Sequence, residues 1–146
     1  HQLRVPLLMR VPRFPARSES IPISQIDLAP TIFELAGVPK SDPLRMRLDL
    51  RGENMLYTLG SEKRPTRPIH SELTAGPYHQ SQQVWVDGDW KLHVLGRRGD
   101  LRLYDLSRDG GERRDLSIKE REKASELANA MKNYRDNVLR VRPPWP

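Results

Sequence analysis

The sequence predicts an α+β fold, in which a small antiparallel sheet of three to four strands packs against a helix close to the C-terminus. Two observations lead to this prediction. Short runs of alternating apolar and polar residues, separated by turn residues, succeed one another between residues 69 and 106. A longer run at 117–138 has helical spacing and one apolar stripe. A sheet and a helix that each have one apolar face bury those faces against each other.

The composition is that of a modest globular domain with a thin core. The chain has 146 residues, of which 36% are hydrophobic and 30% are charged, so it is too apolar for a disordered chain. There is no cysteine, which excludes disulfides and thiolate chemistry. Apolar runs such as Leu7-Leu8-Met9 are far shorter than a membrane span.

The formal net charge of +6 favours acidic partners in general. The excess comes largely from arginines spread along the chain, and a solvated basic surface explains them. The sequence has no zinc-finger spacing, no RNA-binding aromatic motif and no helix-turn-helix. Nucleic acid is therefore not a predicted partner.

The first forty residues predict one strand and one helix. Residues 3–11 alternate but are apolar on both faces, which is typical of a strand inside a sheet. Residues 24–37 have apolar side chains at helical spacing, with Asp27 as a capping residue and Gly37 just past the last turn. The charged stretch 40–68 contains prolines and predicts a long surface connection, with a short helical turn within 48–59.

The segment between residues 69 and 106 predicts the sheet. Strands are expected at four places, namely 69–73, 82–86, 90–95 and 101–106. Asp87-Gly88-Asp89 is a strong hairpin signal between the second and third strands, because glycine and aspartate tolerate positive φ. Both tryptophans that flank this turn, Trp85 and Trp90, are expected in the core.

The last helix is expected at 117–138, where Ser117 and Glu120 have the spacing of a capping box. Its apolar stripe consists of Ala124, Leu127, Ala128, Met131, Tyr134 and Val138. A strand has a side-chain period of two, so one face of the third strand carries Trp90, Leu92 and Val94. We expect that face to cover Leu127, Met131 and Tyr134, with Lys91 and His93 on the other face.

The histidines do not predict a metal site. His1, His70, His79 and His93 lack the spacings that zinc sites use. We expect His93 to lie on the protein surface. His70 and Glu72 could face the same side of their strand, either as a chance neighbour pair or as an acid–base pair. His79 lies in a polar loop and could line a pocket. No serine has a nucleophile-elbow context, so the elements alone predict no complete active site.

Four segments, in order, resemble the sulfatase family. Arg4-Val5-Pro6-Leu7-Leu8 resembles the strand "RVPLIVRWPG" that closes the family's catalytic domain. The stretch from Gln25 to Pro39, QIDLAPTIFELAGVP, is similar to "SLVDLLPTLLELAGVP". The third segment is the hairpin Asp87-Gly88-Asp89-Trp90-Lys91-Leu92, and the fourth is Leu103-Tyr104-Asp105-Leu106 followed by Asp109, Glu112, Asp115 and Leu116.

The resemblance implies the C-terminal part of an alkaline-phosphatase-like sulfatase fold. Residues 1–40 would be the end of the catalytic α/β domain, with one strand and one helix. Residues 41–68 would connect it to a C-terminal subdomain, 69–146, with the antiparallel sheet and the terminal helix. His1 in place of Met suggests that the natural protein continues upstream, and the resemblance is compatible with a periplasmic or secreted protein.

The resemblance also implies a chemistry that this chain does not complete. Full-length members use a formylglycine, made in a C/S-x-P-x-R motif, and a calcium ion. The formal match Ser41-Asp42-Pro43-Leu44-Arg45 lies on the wrong side of the strand and is interpreted as coincidence. No catalytic or metal-binding residue is therefore expected here, and His1 and His79 are the candidates for the rim of the substrate pocket.

The resemblance implies that this chain is a C-terminal fragment of a sulfatase, which is a sulfuric ester hydrolase. The fragment is expected to be inactive alone. The partner of the full-length enzyme would be a sulfate-ester substrate. Two alternatives stay open. One is part of a phosphonate or phosphodiester hydrolase of the same superfamily. The other is a stand-alone module that binds anionic polymers, for which clustered lysines and arginines would be evidence.

Overall fold

The computed structural model describes residues 5–12, 14–16, 18, 22–48, 50–57 and 67–140. They form two compact units, and each is described by itself. The first unit contains residues 67–140 together with the described residues before 17, and the second contains the described residues between 18 and 57. None of the helices in these ranges is long and apolar enough to cross a membrane.

The first unit contains a four-stranded antiparallel sheet with the order β1-β2-β3-β4. The strands are β1 Ile69–Leu73, β2 Gln82–Asp87, β3 Trp90–Leu95 and β4 Asp100–Asp105. The bounds of β1 and β3 agree with those predicted, β2 is one residue longer, and β4 begins and ends one residue earlier. Gly88, in the hairpin turn between β2 and β3, has φ 56°, which is the conformation that made this turn predictable.

One face of the sheet is covered by helix α3, Arg121–Arg140. Leu92 and Leu103 are both 0% exposed, and each contributes about 1.5–3 kcal/mol through burial. The core cluster of this unit is formed by Trp85, Leu92, Leu103, Ala124, Leu127 and Met131, with Trp90, Val94 and Tyr134 packed at its edge. The predicted packing of the third strand on the helix stripe is therefore confirmed.

Helix α3 begins at Arg121, and the predicted start at Ser117 is wrong. Residues 117–120 form a turn instead. The reason is that the preceding chain is fixed to β4. Leu116 N donates to Leu103 O at 2.8 Å, and the Asp115 carboxylate accepts from Leu103 N at 3.1 Å and from Ser117 N at 2.9 Å.

The strand predicted at residues 3–11 is not present in the part of it that the structure describes. Residues 5–11 have no regular secondary structure. Val5 is 75% exposed and Leu8 is fully exposed. A strand that is apolar on both faces needs a neighbour on each side, and these residues make no ladder with the sheet of the first unit. Residues 3 and 4 lie outside the described ranges.

The second unit begins with the helix predicted at residues 24–37. A 3₁₀ turn, Gln25–Asp27, leads directly into helix α1, Leu28–Leu35. Gly37 has φ 69°, as expected for a residue just past the end of a helix. Asp27 does not cap α1 through its side chain. Its buried carboxylate instead accepts from Ser24 N at 2.9 Å and from Glu53 N at 2.8 Å.

The described residues between 40 and 57 contain more regular structure than the surface connection predicted there. They contain helix α2, Pro43–Arg47, and a 3₁₀ turn, Met55–Tyr57, which falls within the stretch predicted to hold a helical turn. The hydroxyl of Thr31, 0% exposed, donates to Asp27 O at 2.6 Å and accepts from Met55 N at 2.9 Å. This buried hydroxyl joins α1 to the 3₁₀ turn, and Met55 is itself buried.

Candidate functional site

His79 lies in the loop between β1 and β2, at one end of the sheet. Gly76 and His79 form an isolated antiparallel bridge, with Gly76 N donating to His79 O at 3.0 Å. The imidazole ring packs over Gly76, where an added Cβ would lie 2.7 Å from His79 Nε2. His79 is exposed and Tyr78 is 98% exposed. The loop therefore presents two aromatic rings to solvent on a defined backbone.

The other predicted rim residue, His1, lies outside the described residues.

A charged cluster lies on the sheet face opposite α3. Lys91 is 6% exposed, and its Nζ donates to Glu112 Oε1 at 2.6 Å. His93 Nε2 is buried 3.3 Å from Glu112 Oε2, an ion-pair distance at which the hydrogen-bond geometry is not met. The His93 ring meets Tyr104 edge to face, with 5.6 Å between ring centroids. The expectation that His93 is a surface residue is wrong, because this face is largely buried as well.

The protonation states of this cluster follow from burial and from Lys91. Burial is the main cause that lowers the pKa of His93, and Lys91 lowers it further, while Glu112 acts in the opposite direction. Burial acts to raise the pKa of Glu112, but the hydrogen bond and charge of Lys91 outweigh it, so this pKa is lowered. At neutral pH the cluster is a Lys–Glu ion pair beside a neutral histidine.

The sequence pattern does not indicate a functional role for Glu112, which belongs to the fourth segment that resembles the sulfatase family. It has φ 55°, a left-handed conformation that costs a non-glycine residue roughly 1–2 kcal/mol. This backbone conformation brings its carboxylate back to β3. The only feature of the sequence that could have indicated this contact is the spacing between Tyr104 and Glu112, and a spacing alone does not predict an ion pair.

His70 is part of an aromatic cluster rather than an acid–base pair. Its ring centroid lies 5.7 Å from that of Tyr134 and 6.3 Å from that of Trp85, on the face that α3 covers. Burial lowers the pKa of His70, against the charge of Glu72, which raises it. The Glu72 carboxylate accepts instead from Gln83 Nε2 at 3.3 Å. The chance-neighbour interpretation of these two residues is the better one.

The formal nucleophile motif at residues 41–45 is the start of helix α2. The Asp42 carboxylate caps the helix by accepting from Leu44 N at 2.9 Å and Arg45 N at 3.4 Å. Pro43 occupies the first turn, where a missing N–H costs little. Arg45 donates to Val38 O at 2.7 Å. Each of these residues therefore has a local structural role, and Ser41 is simply exposed.

The described part of the chain contains no set of side chains suited to bind a metal ion. No group of three or more His, Cys, Asp or Glu side chains there could hold a metal ion. The described residues thus do not form a site for the calcium ion that the family resemblance implies.

Comparison with known proteins confirms the resemblance to the sulfatase family. No family model matches the chain. Curated proteins do match it, among them the uncharacterized sulfatase YidJ of Escherichia coli K12 and arylsulfatase K of Xenopus laevis. The first is 30% identical over 144 residues, which is 92% of this chain, and the second is 27% identical over 146 residues, 90% of this chain.

The fold is also similar to that of solved structures. The structure of Ps i-CgsB in complex with k-i-k-neocarrahexaose aligns with a TM-score of 0.65 at 23% identity, over 86% of this chain and 26% of that one. The chain spans 27% and 26% of the two curated sulfatases. It therefore resembles a sulfatase C-terminal portion, and its size corresponds to about a quarter of these proteins.

Proposed function

We propose that this chain forms the C-terminal section of a sulfatase, a sulfuric ester hydrolase, and that the groups which cleave the ester come from sequence outside it. The match to two sulfatases over nine-tenths of this chain, but only a quarter of theirs, supports the proposal most directly. Formylglycine and calcium would belong to the remaining three-quarters. Within this proposal, residues 1–40 end the catalytic domain, 41–68 connect, and 69–146 form the C-terminal subdomain.

The role of the C-terminal subdomain in this proposal is to support the fold and to form part of the pocket rim. The stable sheet–helix core, with Leu92 and Leu103 fully buried, supports the first role. His79 supports the second, since it lies exposed on a loop whose backbone is fixed by the bridge to Gly76. His1 is the second proposed rim residue. The bound neocarrahexaose of Ps i-CgsB supports a carbohydrate substrate.

The proposal is tested by an activity assay of two proteins, this chain alone and this chain joined to the gene sequence found upstream of it. Each is incubated with an aryl sulfate and calcium, and the joined protein is also given a phosphonate monoester. We expect sulfate release by the joined protein only, and a higher KM for it after His79→Ala.

Two results would contradict this proposal. One is turnover by the chain alone that is lost on Ser41→Ala, because it would make the motif at 41–45 a real nucleophile site. The other is faster cleavage of the phosphonate than of the sulfate by the joined protein, which would favour the alternative hydrolase.

A further inference from the structure

The two edges of the sheet in the first unit differ in how they are protected. At the outer edge of β4, Leu103 uses both of its backbone groups. Its N–H donates to the Asp115 carboxylate at 3.1 Å, and its C=O accepts from Leu116 N at 2.8 Å. At the same edge, the C=O of Asp105 accepts from Asp109 N at 2.8 Å. The chain that follows β4 therefore blocks this edge against pairing with another strand.

The edge formed by β1 has no such cover among the residues that the structure describes, because no described segment pairs with its outer side. The direction of its backbone groups follows from the row of paired residues Leu103, Leu92, Trp85 and His70. In an antiparallel ladder, opposite residues either bond to each other or both point away, and the two cases alternate. Leu103 points outward, so Leu92 bonds with Trp85. His70 therefore points its N–H and C=O to the outer edge, and Glu72 does the same because it lies two residues further on.

The sequence of β1, Ile69-His70-Ser71-Glu72-Leu73, is complementary to itself when a second copy runs in the opposite direction. With Ser71 opposite Ser71 of the second copy, His70 lies opposite Glu72 and Ile69 lies opposite Leu73. Each apolar residue then meets an apolar residue, and each carboxylate meets an imidazole. Such directly opposite pairs stabilise an antiparallel sheet. A shift by two residues would instead place His70 opposite itself or Glu72 opposite itself.

The surroundings of His70 favour the same register. Burial lowers the pKa of His70, and the charge of Arg135 on α3 lowers it further, against the charge of Glu72, which raises it. A positive charge therefore acts at the place that Glu72 of a second copy would reach. Glu72 is exposed, and its carboxylate accepts a long hydrogen bond of 3.3 Å from Gln83 Nε2. It can exchange this bond for the new contact.

We propose that two copies of this chain associate through β1, about a two-fold axis at Ser71, so that their sheets join into one antiparallel sheet. His70 and Glu72 of one copy bond through their N–H and C=O groups to Glu72 and His70 of the other, as in any isologous contact. Strands of five residues make a small interface, so the dimer is weak and reversible. The inference concerns association and does not rest on the proposed function.

Sedimentation equilibrium of the whole chain at neutral pH, with Glu72→Pro compared with Glu72→Ala, tests the backbone pairing. The N–H of Glu72 points away from β2, so proline removes a donor at the outer edge and leaves the ladder with β2 intact. Alanine removes the same side chain but keeps the N–H. We expect a reversible dimer whose Kd is at least about tenfold higher for Glu72→Pro than for Glu72→Ala. Equal melting temperatures of the two variants at a dilution where both are monomeric would show that the proline variant folds.

A second experiment tests the two-fold axis and uses the absence of cysteine from this chain. Ser71→Cys places one thiol on the axis, where opposite Cα atoms of a pair without mutual hydrogen bonds lie about 4.5 Å apart, within the reach of a disulfide. Leu73→Cys is the matched control on the same strand and the same face. Leu73 is exposed whereas Ser71 is half-buried, yet its two copies would be offset by roughly 13 Å along the strands. We expect Ser71→Cys to form the disulfide-linked dimer at least about tenfold faster than Leu73→Cys.

Three results would overturn the inference. One is a chain that stays monomeric at about 1 mM. Another is an equal dimer Kd for Glu72→Pro and Glu72→Ala, which would show association through a different surface, such as the exposed apolar residues 5–9. The third is disulfide formation by Leu73→Cys as fast as by Ser71→Cys, which would show random encounters. If the proline variant melted at a lower temperature, the cysteine comparison alone would decide.

Discussion

Two apolar segments of this chain differ in what surrounds them. Residues 90–95 form the centre of the sheet, where Leu92 is 0% exposed. Residues 5–11 are just as apolar, yet Leu8 is fully exposed and no strand forms. The apolar content of a segment therefore does not by itself determine whether the segment is buried. What differs is whether the chain supplies the partners that the pattern of each segment requires.

The two patterns require different partners. In β3 one face is apolar and needs a single cover, which α3 provides. Residues 5–11 would be apolar on both faces of a strand. Such a strand needs neighbouring strands to pair with and other elements packed against both of its faces. The proposed function accounts for the difference, because those partners would belong to the sequence outside this chain.

The largest expected effect is on the core of the first unit. Leu92→Ala removes a fully buried side chain and should lower the free energy of unfolding by about 2–5 kcal/mol, a large part of the about 5–15 kcal/mol of a typical domain. Leu8→Ala, at a fully exposed position, should change it by less than about 0.5 kcal/mol. Urea unfolding followed by tryptophan fluorescence measures both.

The same experiment has an internal check. Leu92 and Met131 belong to one core cluster, so Leu92→Ala and Met131→Ala should be non-additive in the double mutant. Equal destabilisation by Leu8→Ala and Leu92→Ala would show that residues 5–11 are packed, and the comparison would then be wrong.

A smaller effect is expected from pH, and it should come from the charged face of the sheet. The pKa of Glu112 is lowered from 4.5, so its contribution to stability is present above pH 4.5 and is lost as pH falls through the lowered value. The pKa of His93 is lowered from 6.5, so the unfolded chain binds more protons below pH 6.5 and stability falls there too.

Thermal unfolding between pH 8 and pH 4 would show the two contributions. His93→Gln should reduce the loss of stability just below pH 6.5. Part of that loss should remain, because burial also lowers the pKa of His70 and protonation of His70 therefore destabilises the fold in the same pH range. Glu112→Gln should flatten the more acidic part and lower stability at neutral pH, since it leaves Lys91 buried without its charge partner. A profile that both variants leave unchanged would mean that this cluster is open to water.

The sequence predicted the parts of the fold that local patterns determine. The four strands, their turns and the packing of Leu92 on the helix follow from period two, Asp87-Gly88 and one apolar stripe. The start of α3 was misplaced, because Asp115 and Leu116 are held by β4 through contacts across twelve or more residues. No local pattern shows such a contact.

The charged face and the rim were less accessible to prediction. Alternation placed Lys91 and His93 on the face away from α3, which is correct, but it could not show that Glu112 returns to bury them. That return depends on one left-handed residue. The polar loop marks His79 as a rim candidate, but the bridge from Gly76 that fixes its backbone is a property of the fold.

Hydrogen exchange of the backbone amides, measured on the monomeric chain at neutral pH, tests the central contrast most directly. Amides of residues 91–94 should exchange only through global unfolding, since β3 is an interior strand that pairs with β2 on one side and β4 on the other. Amides of residues 5, 7, 8 and 9 should exchange close to the rate of an unstructured peptide. Equally slow exchange in both segments would show that the apolar segment has found its partners within this chain, and would contradict the account.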